Sequence, residues 1–144
     1  REGITVVTNS LPLASLFAEK GRGKLVLSGG ELDRKNQCFV GGAAEDALGA
    51  YYVDKSFVSC RGADQTVGIT DGNAINGRIR ALMLRRARKH FLVLDHTKLG
   101  KSNFYHICDF SAVDAVVTDA LPDPSWEDFF RSQGLRMILT PPRR

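Results

Sequence analysis

The chain has 144 residues, the common size of one globular domain and enough to bury roughly 68–70% of its unfolded surface. Hydrophobic residues make up 43% and charged residues 25%, which excludes a disordered chain and a disulfide-held miniprotein. The longest uncharged stretch, 3–18, contains Thr, Asn, Ser and Pro and falls short of the roughly 20 apolar residues of a membrane helix. The formal charge of +4 is concentrated: residues 78–89 hold six basic side chains (Arg78, Arg80, Arg85, Arg86, Arg88, Lys89) and no acid, and the remainder has 14 basic against 16 acidic residues.

In chain order, Ile4 to Thr8 reads as a β-branched strand that stops at Asn9-Ser10, a helix cap before the apolar set Leu13, Leu16 and Phe17. Gly21 and Gly23 punctuate the helix end, and Lys24 to Leu27 makes a short strand running into Ser28-Gly29-Gly30. A polar loop follows. Gly41-Gly42 then opens a helix over Ala43 to Ala50, and Ser56 to Cys60 reads as a strand ending at Arg61-Gly62-Ala63-Asp64. Ile75, Ile79, Leu82 and Met83 recur at helical spacing before Phe91 to Leu94 switches to a buried strand that ends at Asp95-His96-Thr97-Lys98-Leu99-Gly100. Val113 to Thr118 is another strand, Trp126 to Ser132 a helix behind Pro122 and Pro124, and Leu135 to Leu139 a last strand. This alternation argues an α/β fold: a mostly parallel sheet with helices on both faces.

The three cysteines, Cys38, Cys60 and Cys108, form no C-x-x-C pair, which fits reduced, mostly buried thiols in a cytoplasmic protein. The chain opens at Arg1-Glu2 with no initiator Met and no signal-like run, and it reads as a fragment of a longer protein.

In parallel α/β sheets a ligand lies outside the carboxyl ends of the strands, where backbone amides and helix N-termini converge. Here those ends carry Thr8-Asn9-Ser10, Ser28-Gly29-Gly30, Arg61-Gly62-Ala63-Asp64 and Asp95-His96-Thr97-Lys98. Small hydroxyl, amide and glycine residues beside a lysine and an arginine suit an anionic, hydroxyl-rich ligand. Each of these segments alone reads as an ordinary turn with a helix cap; their shared placement points to a site. The six cations of residues 78–89 suggest DNA, but without a helix-turn-helix pair or interleaved aromatics they read as a solvated helix face. His96, His106 and Cys108 lack the paired spacing of a zinc site. No metal or cofactor is expected.

Taken in order, Val-Val-Thr-Asn-Ser (6–10), Val-Leu-Ser-Gly-Gly (26–30), Val-Gly-Gly-Ala-Ala-Glu (40–45), Asp-Lys-Ser-Phe (54–57) and Leu-Asp-His-Thr-Lys-Leu-Gly (94–100) resemble the C-terminal effector-sensing domain of DeoR-type bacterial transcriptional regulators. The resemblance runs from about Thr5 to Leu139. It implies a fold shared with ribose-5-phosphate isomerase, glucosamine-6-phosphate deaminase and CoA transferases. It also implies a repressor of carbohydrate metabolism that binds a phosphorylated sugar or related metabolite and then releases operator DNA. The family's N-terminal winged helix-turn-helix and its Asp-x-Gly-Thr-Thr phosphate loop, one βα unit before Thr5, do not occur in these 144 residues. Where the family has Glu-Ala-x-Val-Lys, this chain has Asn76-Gly77-Arg78-Ile79-Arg80.

The expected effector-binding set is therefore Thr8, Asn9, Ser10, Gly29, Gly30, Lys55, Arg61, Gly62, Asp64, Asn76, Arg80, Asp95, Thr97 and Lys98, in a cytoplasmic homo-oligomer with no membrane contact. An isomerase or deaminase of the same fold is the alternative from another class, and it needs a carboxylate base near the substrate carbon. No Asp or Glu occurs between Asp71 and Asp95, and Arg61 stands where the isomerases' Asp-Gly-Ala-Asp begins. The reading is a sensor without catalytic residues, with an enzyme second and an oligomerisation domain without effector binding third.

Overall fold

The computed structural model describes residues 3–141, and the chain packs as two compact units, Arg1–Tyr51 and Tyr52–Arg144. In the first, β1 (Thr5–Thr8) and β2 (Lys24–Leu27) run parallel, with helix α1 (Leu11–Lys20) as the crossover. The helix starts as the sequence predicts. Ser10 is its N-cap, its Oγ accepting from the Leu13 amide at 3.3 Å, and Pro12 sits in the first turn, where a missing N–H costs nothing.

Residues 31–40, a polar loop by sequence, form an antiparallel hairpin instead, β3 (Glu31–Asp33) with β4 (Cys38–Val40). The Asp33 carboxylate builds its turn, accepting from the Lys35 and Asn36 amides and from Asn36 Nδ2 at 2.7–3.2 Å. Three-residue strands show no alternation to read, so the turn chemistry was the only available signal. Helix α2 (Gly42–Gly49) follows and buries Ala44 and Leu48.

The second unit runs β5 (Val53–Val58), β6 (Gly62–Asp64), β7 (Gly68–Asp71), α3 (Ala74–Arg85), β8 (Ala87–Val93), β9 (Tyr105–Cys108), β10 (Ala115–Thr118), α4 (Ser125–Ser132) and β11 (Arg136–Leu139). Four of these strands form a wholly parallel sheet in the order β11-β10-β8-β5, and β6-β7-β9 form a separate antiparallel sheet. The central sheet is thus parallel as expected. The stretch Arg61-Gly62-Ala63-Asp64 is not a βα turn, however, but leads into a hairpin whose turn is made by Asp64, its carboxylate accepting from the Thr66 and Val67 amides at 2.8 and 2.9 Å.

Alternation along the parallel strands directs Val58, Leu92 and Val116 into a core shared with Leu84 of α3, Ile69 and Ile107 of the antiparallel sheet, and Trp126 and Phe130 of α4. Phe110, Trp126, Phe129 and Phe130 cluster with ring centroids 5.1–6.4 Å apart, within the range of favourable tilted and edge contacts. Each fully buried aliphatic such as Leu92 or Val116 stabilises the fold by about 1.5–3 kcal/mol. On the opposite face Phe57 stacks on Phe91 with centroids 4.9 Å apart, and Phe57 remains 63% exposed.

The basic run does not form one helix face. Arg78, Arg80 and Arg85 lie on α3, Arg86 closes it through a bond from its amide to the Leu82 carbonyl, and Arg88 and Lys89 already belong to β8. Of the three cysteines, all free, only Cys60 is fully buried; Cys38 and Cys108 are half-buried.

Two histidine–aspartate links clamp β8 to β10. His90 donates its backbone N–H to Asp114 at 2.8 Å with Nδ1 2.9 Å from the same carboxylate, and His96 does likewise to Asp119 at 2.7 and 2.8 Å. These bonds hold Asp114 below its ordinary range and lower Asp119 from 3.8 to about 2. A carboxyl depressed in the folded state contributes stability that is present above its unfolded pKa and lost as pH falls through the folded one. Urea midpoints should therefore hold steady above about pH 5 and decline between about pH 4 and 2, and Asp119→Asn should flatten that acid limb; an unchanged limb would remove the His96–Asp119 link from the account. A second prediction concerns Gly77, where an added Cβ would lie 2.2 Å from Tyr105 Cδ1. Gly77→Ala should cost about 1–3 kcal/mol through overpacking, despite the gain in helix propensity. The same change in a Tyr105→Ala background should be neutral or stabilising by thermal melt.

Candidate functional site

In the first unit the strand ends β1 and β2 meet. The Ser28 amide bonds the Thr8 carbonyl at 2.9 Å, which brings Thr8, Asn9 and Ser10 beside Gly29 and Gly30. The polar groups there already have local work. Thr8 Oγ1 accepts from the Ser10 amide at 3.1 Å, Asn9 Nδ2 donates to the Phe39 carbonyl at 2.9 Å, and Ser10 caps α1. Gly30 needs to be glycine: at φ 108°, a Cβ would lie 2.7 Å from the Val40 carbonyl oxygen and 3.0 Å from Ala44 Cβ. Gly29, at φ 64°, has open space around it.

In the second unit the segments after β5 and after β8 converge. Arg61 donates its amide to the Thr70 carbonyl at 3.1 Å, Gly100 donates to the Ala63 carbonyl at 2.8 Å, and Ala63 and Leu99 form a parallel bridge. Gly62 is pressed against the loop beyond Lys98, where a Cβ would approach the Lys101 carbonyl oxygen to 2.4 Å. Thr70, fully buried, ties the region together by donating its hydroxyl to the Gly62 carbonyl at 3.2 Å and accepting from the Asn103 amide at 2.9 Å.

Asp95 caps the short 3-10 turn His96–Lys98. Its carboxylate accepts from the Thr97 amide at 2.9 Å and from the Thr97 hydroxyl, and these bonds, with the Lys98 charge a lesser cause, keep it below the ordinary carboxylate range. Asp95 and Thr97 are thus occupied with each other. Lys98 is half-buried, and among the described residues no carboxylate lies within ion-pair distance of its ammonium.

Beneath this group lies Cys60. Burial pushes its thiol up to about 11 against the opposing pull of Arg80, of a bond from the Gly62 backbone and of Lys98. The thiol is therefore neutral and a poor nucleophile at physiological pH. Burial likewise raises Cys108 to about 11.

On α3, Asn73 is the N-cap, its side chain accepting from the Asn76 amide at 2.9 Å and from Asn76 Nδ2 at 3.4 Å. Asn76 is buried. One turn on, Arg80 forms an ion pair with Asp71 at the end of β7. Asp71 is not in the set expected from the sequence, whose acids are Asp64 and Asp95; an acid closing a strand two residues before a helix cap is the available signal.

Pairing thus brings the 61–63 stretch together with the 95–100 loop at the β5 and β8 carboxyl ends, with Thr70 and Asn103 beside them, whereas Asn76 and Arg80 of α3 are tied to Asn73 and to Asp71 at the end of β7. Asp64 sits apart at the hairpin turn. Lys55 is inside β5, opposite Lys89 and on the Phe57 side of the strand, not at the carboxyl edge. Among the described residues no group of His, Cys, Asp and Glu could hold a metal ion. The arrangement offers cations, amides and glycine-exposed backbone, with no carboxylate free to act as a base in the cluster.

A family model described as the DeoR C terminal sensor domain matches residues 1–120. The chain is 29% identical over 94% of its length to the HTH-type transcriptional repressor GlcR of Bacillus subtilis (strain 168), and 34% identical over 96% to the uncharacterized HTH-type transcriptional regulator YulB of the same organism. It is 32% identical over 81% to the L-fucose operon activator of Escherichia coli (strain K12). It covers 52%, 54% and 48% of these three proteins, and so spans about half the length of the curated relatives it matches. All three are named as regulators, none as an enzyme. The family-model match over residues 1–120, most of its length, establishes that the chain belongs to the DeoR C-terminal sensor domain family.

Proposed function

We propose that this sensor domain recognises a phosphorylated sugar or a related anionic metabolite and thereby controls operator binding by a regulator of carbohydrate metabolism. The observation that carries the reading is Lys98, a half-buried ammonium without a carboxylate partner among the described residues, held at the sheet's carboxyl edge beside Gly62 and Arg61. A cation kept from its own counter-charge in a partly desolvated place gains most from an anionic ligand. The name of the L-fucose operon activator supports a sugar-derived effector. The names of the HTH-type relatives support a DNA-binding domain elsewhere in the full-length protein. The regulator works as a homo-oligomer in the cytoplasm, where operator DNA lies; no helix among the described residues is long and apolar enough to cross a membrane.

The test is a thermal-shift panel on the full-length protein with phosphorylated sugars and their unphosphorylated parents, since a ligand at 100 times its Kd adds about 2.7 kcal/mol. At least one phosphorylated sugar should raise Tm while its parent does not. Lys98→Met should weaken that ligand by about 10- to 150-fold, the worth of a charge-assisted bond at 1.4 kcal/mol per decade. The Tm of the free protein should change little, because Lys98 closes no ion pair. A panel without response refutes the anionic effector; an unaltered affinity removes Lys98 from the site.

A further inference from the structure

The strands of the parallel sheet lie in chain order, β5-β8-β10-β11. Right-handed crossovers that step across a sheet in one direction all fall on one face, and here that face carries Val58, Leu92 and Val116, with α3, α4 and the antiparallel sheet packed against it. The connections within the second unit are thereby used up, although a wholly parallel sheet is ordinarily covered on both faces. By strand alternation the other face presents Phe57, Phe91, Val93, Val117 and Ile138. Phe57 and Val93 are exposed and the other three half-buried.

Charges frame this apolar field in a fixed order. Toward the amino ends of the strands, Lys55 and Lys89 stand in register on neighbouring strands and Arg136 begins β11; all three are exposed, and none has an ion-pair partner among the described residues. At the carboxyl ends the same alternation continues through Val93 to Asp95 and through Val117 to Asp119, both exposed. Local hydrogen bonds, from Thr97 to Asp95 and from His96 to Asp119, hold these carboxyls below their ordinary range, so both are charged at neutral pH. The face therefore runs from cations through an apolar middle to anions. A two-fold axis in the plane of the sheet and across the strands reverses that order, so a second copy meets it with anions over cations and apolar side chains over apolar ones. A two-fold axis along the strands would set lysines against lysines.

We propose that this face is an interface between two copies of the domain, packed sheet to sheet with their strands antiparallel, Lys55 and Lys89 of one copy facing Asp95 and Asp119 of the other. The proposal rests on the reading of the regulator as a homo-oligomer, and it names the surface that makes it one. Phe57 and Val93 leave water at the centre of the contact, and the two lysines, which repel each other within one copy, gain carboxylates from the second.

The experiment follows the association of the full-length protein over a dilution series by sedimentation velocity and mass photometry. Phe57→Glu and Lys55→Gln/Lys89→Gln should each move one association step to about tenfold higher protein concentration or more, the effect of truncating a central contact. Melting of the dilute protein should change little, because none of the three side chains enters the core. Added chloride should weaken the parent more than the lysine variant. If Phe57→Glu associates at the parent's concentrations, the interface lies elsewhere: the proposal falls and the homo-oligomer stands. A parent that stays monomeric at every concentration overturns both. If Phe57→Glu weakens association but the lysine variant leaves it unchanged or tighter, cations do not face carboxylates and the proposal falls. Should Phe57→Glu fail to fold, the lysine variant decides on the same criteria. Maleimide labelling of Phe57→Cys, read against the parent's own cysteines, separates the occupants: protection that appears only on association supports a second copy, and protection already present in the monomer shows that another segment of the same polypeptide covers the face and overturns the proposal.

Discussion

Parallel pairing imposes the geometry on which the candidate site depends. When β5, β8, β10 and β11 all run in one direction, every segment that leaves a strand's carboxyl end starts from the same edge, and the chain must return to the other edge before the next strand. The segments at residues 59–61, 94–98, 119–121 and 140 therefore share one border regardless of their sequence. The Leu94 amide bonds the Val117 carbonyl at 3.0 Å and the Thr140 amide bonds the Thr118 carbonyl at 2.9 Å, so pairing continues past the named strands and sets where these loops begin. His96 with Asp119 locks two of them together.

An open border does not make a binding place; it needs a wall. The antiparallel sheet β6-β7-β9 supplies one, and its approach to the border is governed by what is absent from two residues. Gly62 lets the Lys101 backbone pass where a methyl would stand 2.4 Å from a carbonyl oxygen, and Gly77 lets the Tyr105 ring lie flat on α3. Thr70 spends its hydroxyl on both sides of that seam. With the seam closed, Asp71 at the end of β7 is taken out of water, and its burial in turn obliges Arg80 to stay with it. Close packing of glycine against backbone thus ends as an electrostatic constraint on the site.

Sequence patterns disclosed the parts of this that rest on long apolar runs or on cap chemistry. The β1–α1–β2 unit, α3, β10 and β11 lie close to where periodicity and the Ser10 cap put them, although of the expected α3 set Ile75, Ile79, Leu82 and Met83 only Ile79 is fully buried, Ile75 is exposed, and Leu84 takes the inner position instead. Three kinds of feature stayed hidden. The hairpins 31–40 and 62–71 use strands of three or four residues whose only signals are the Asp33 and Asp64 turns, and Arg61 to Asp64 was therefore read as a strand's end. The start of β8 was masked by Arg88, Lys89 and His90, polar residues that a helix or a strand carries equally well; only pairing with β5 decides for the strand. Lys55 enters the expected site through a motif alone, and its register opposite Lys89 of β8, inside β5, puts it away from the edge. Thr97 and Asp95, correctly placed at the edge, turn out to satisfy each other.

The departures at the head of α3 become coherent once Asp71 is included. The family pattern Glu-Ala-x-Val-Lys sets an acid and a base four residues apart on one helix face, a pair that stabilises a helix on its own. Here the acid position is Asn76 and the base position Arg80, and Arg80 has its carboxylate on the neighbouring strand instead. Asn76, buried and one turn before Arg80, is a neutral amide whose Nδ2 donates to the Asn73 cap at 3.4 Å. Arginine in place of lysine follows from the same geometry, because a planar fork reaching across from helix to strand keeps its donors oriented where a flexible ammonium would not. The Arg80–Asp71 ion pair thus ties the helix to the strand beside it, where a Glu-to-Lys pair within the helix would have stabilised the helix alone.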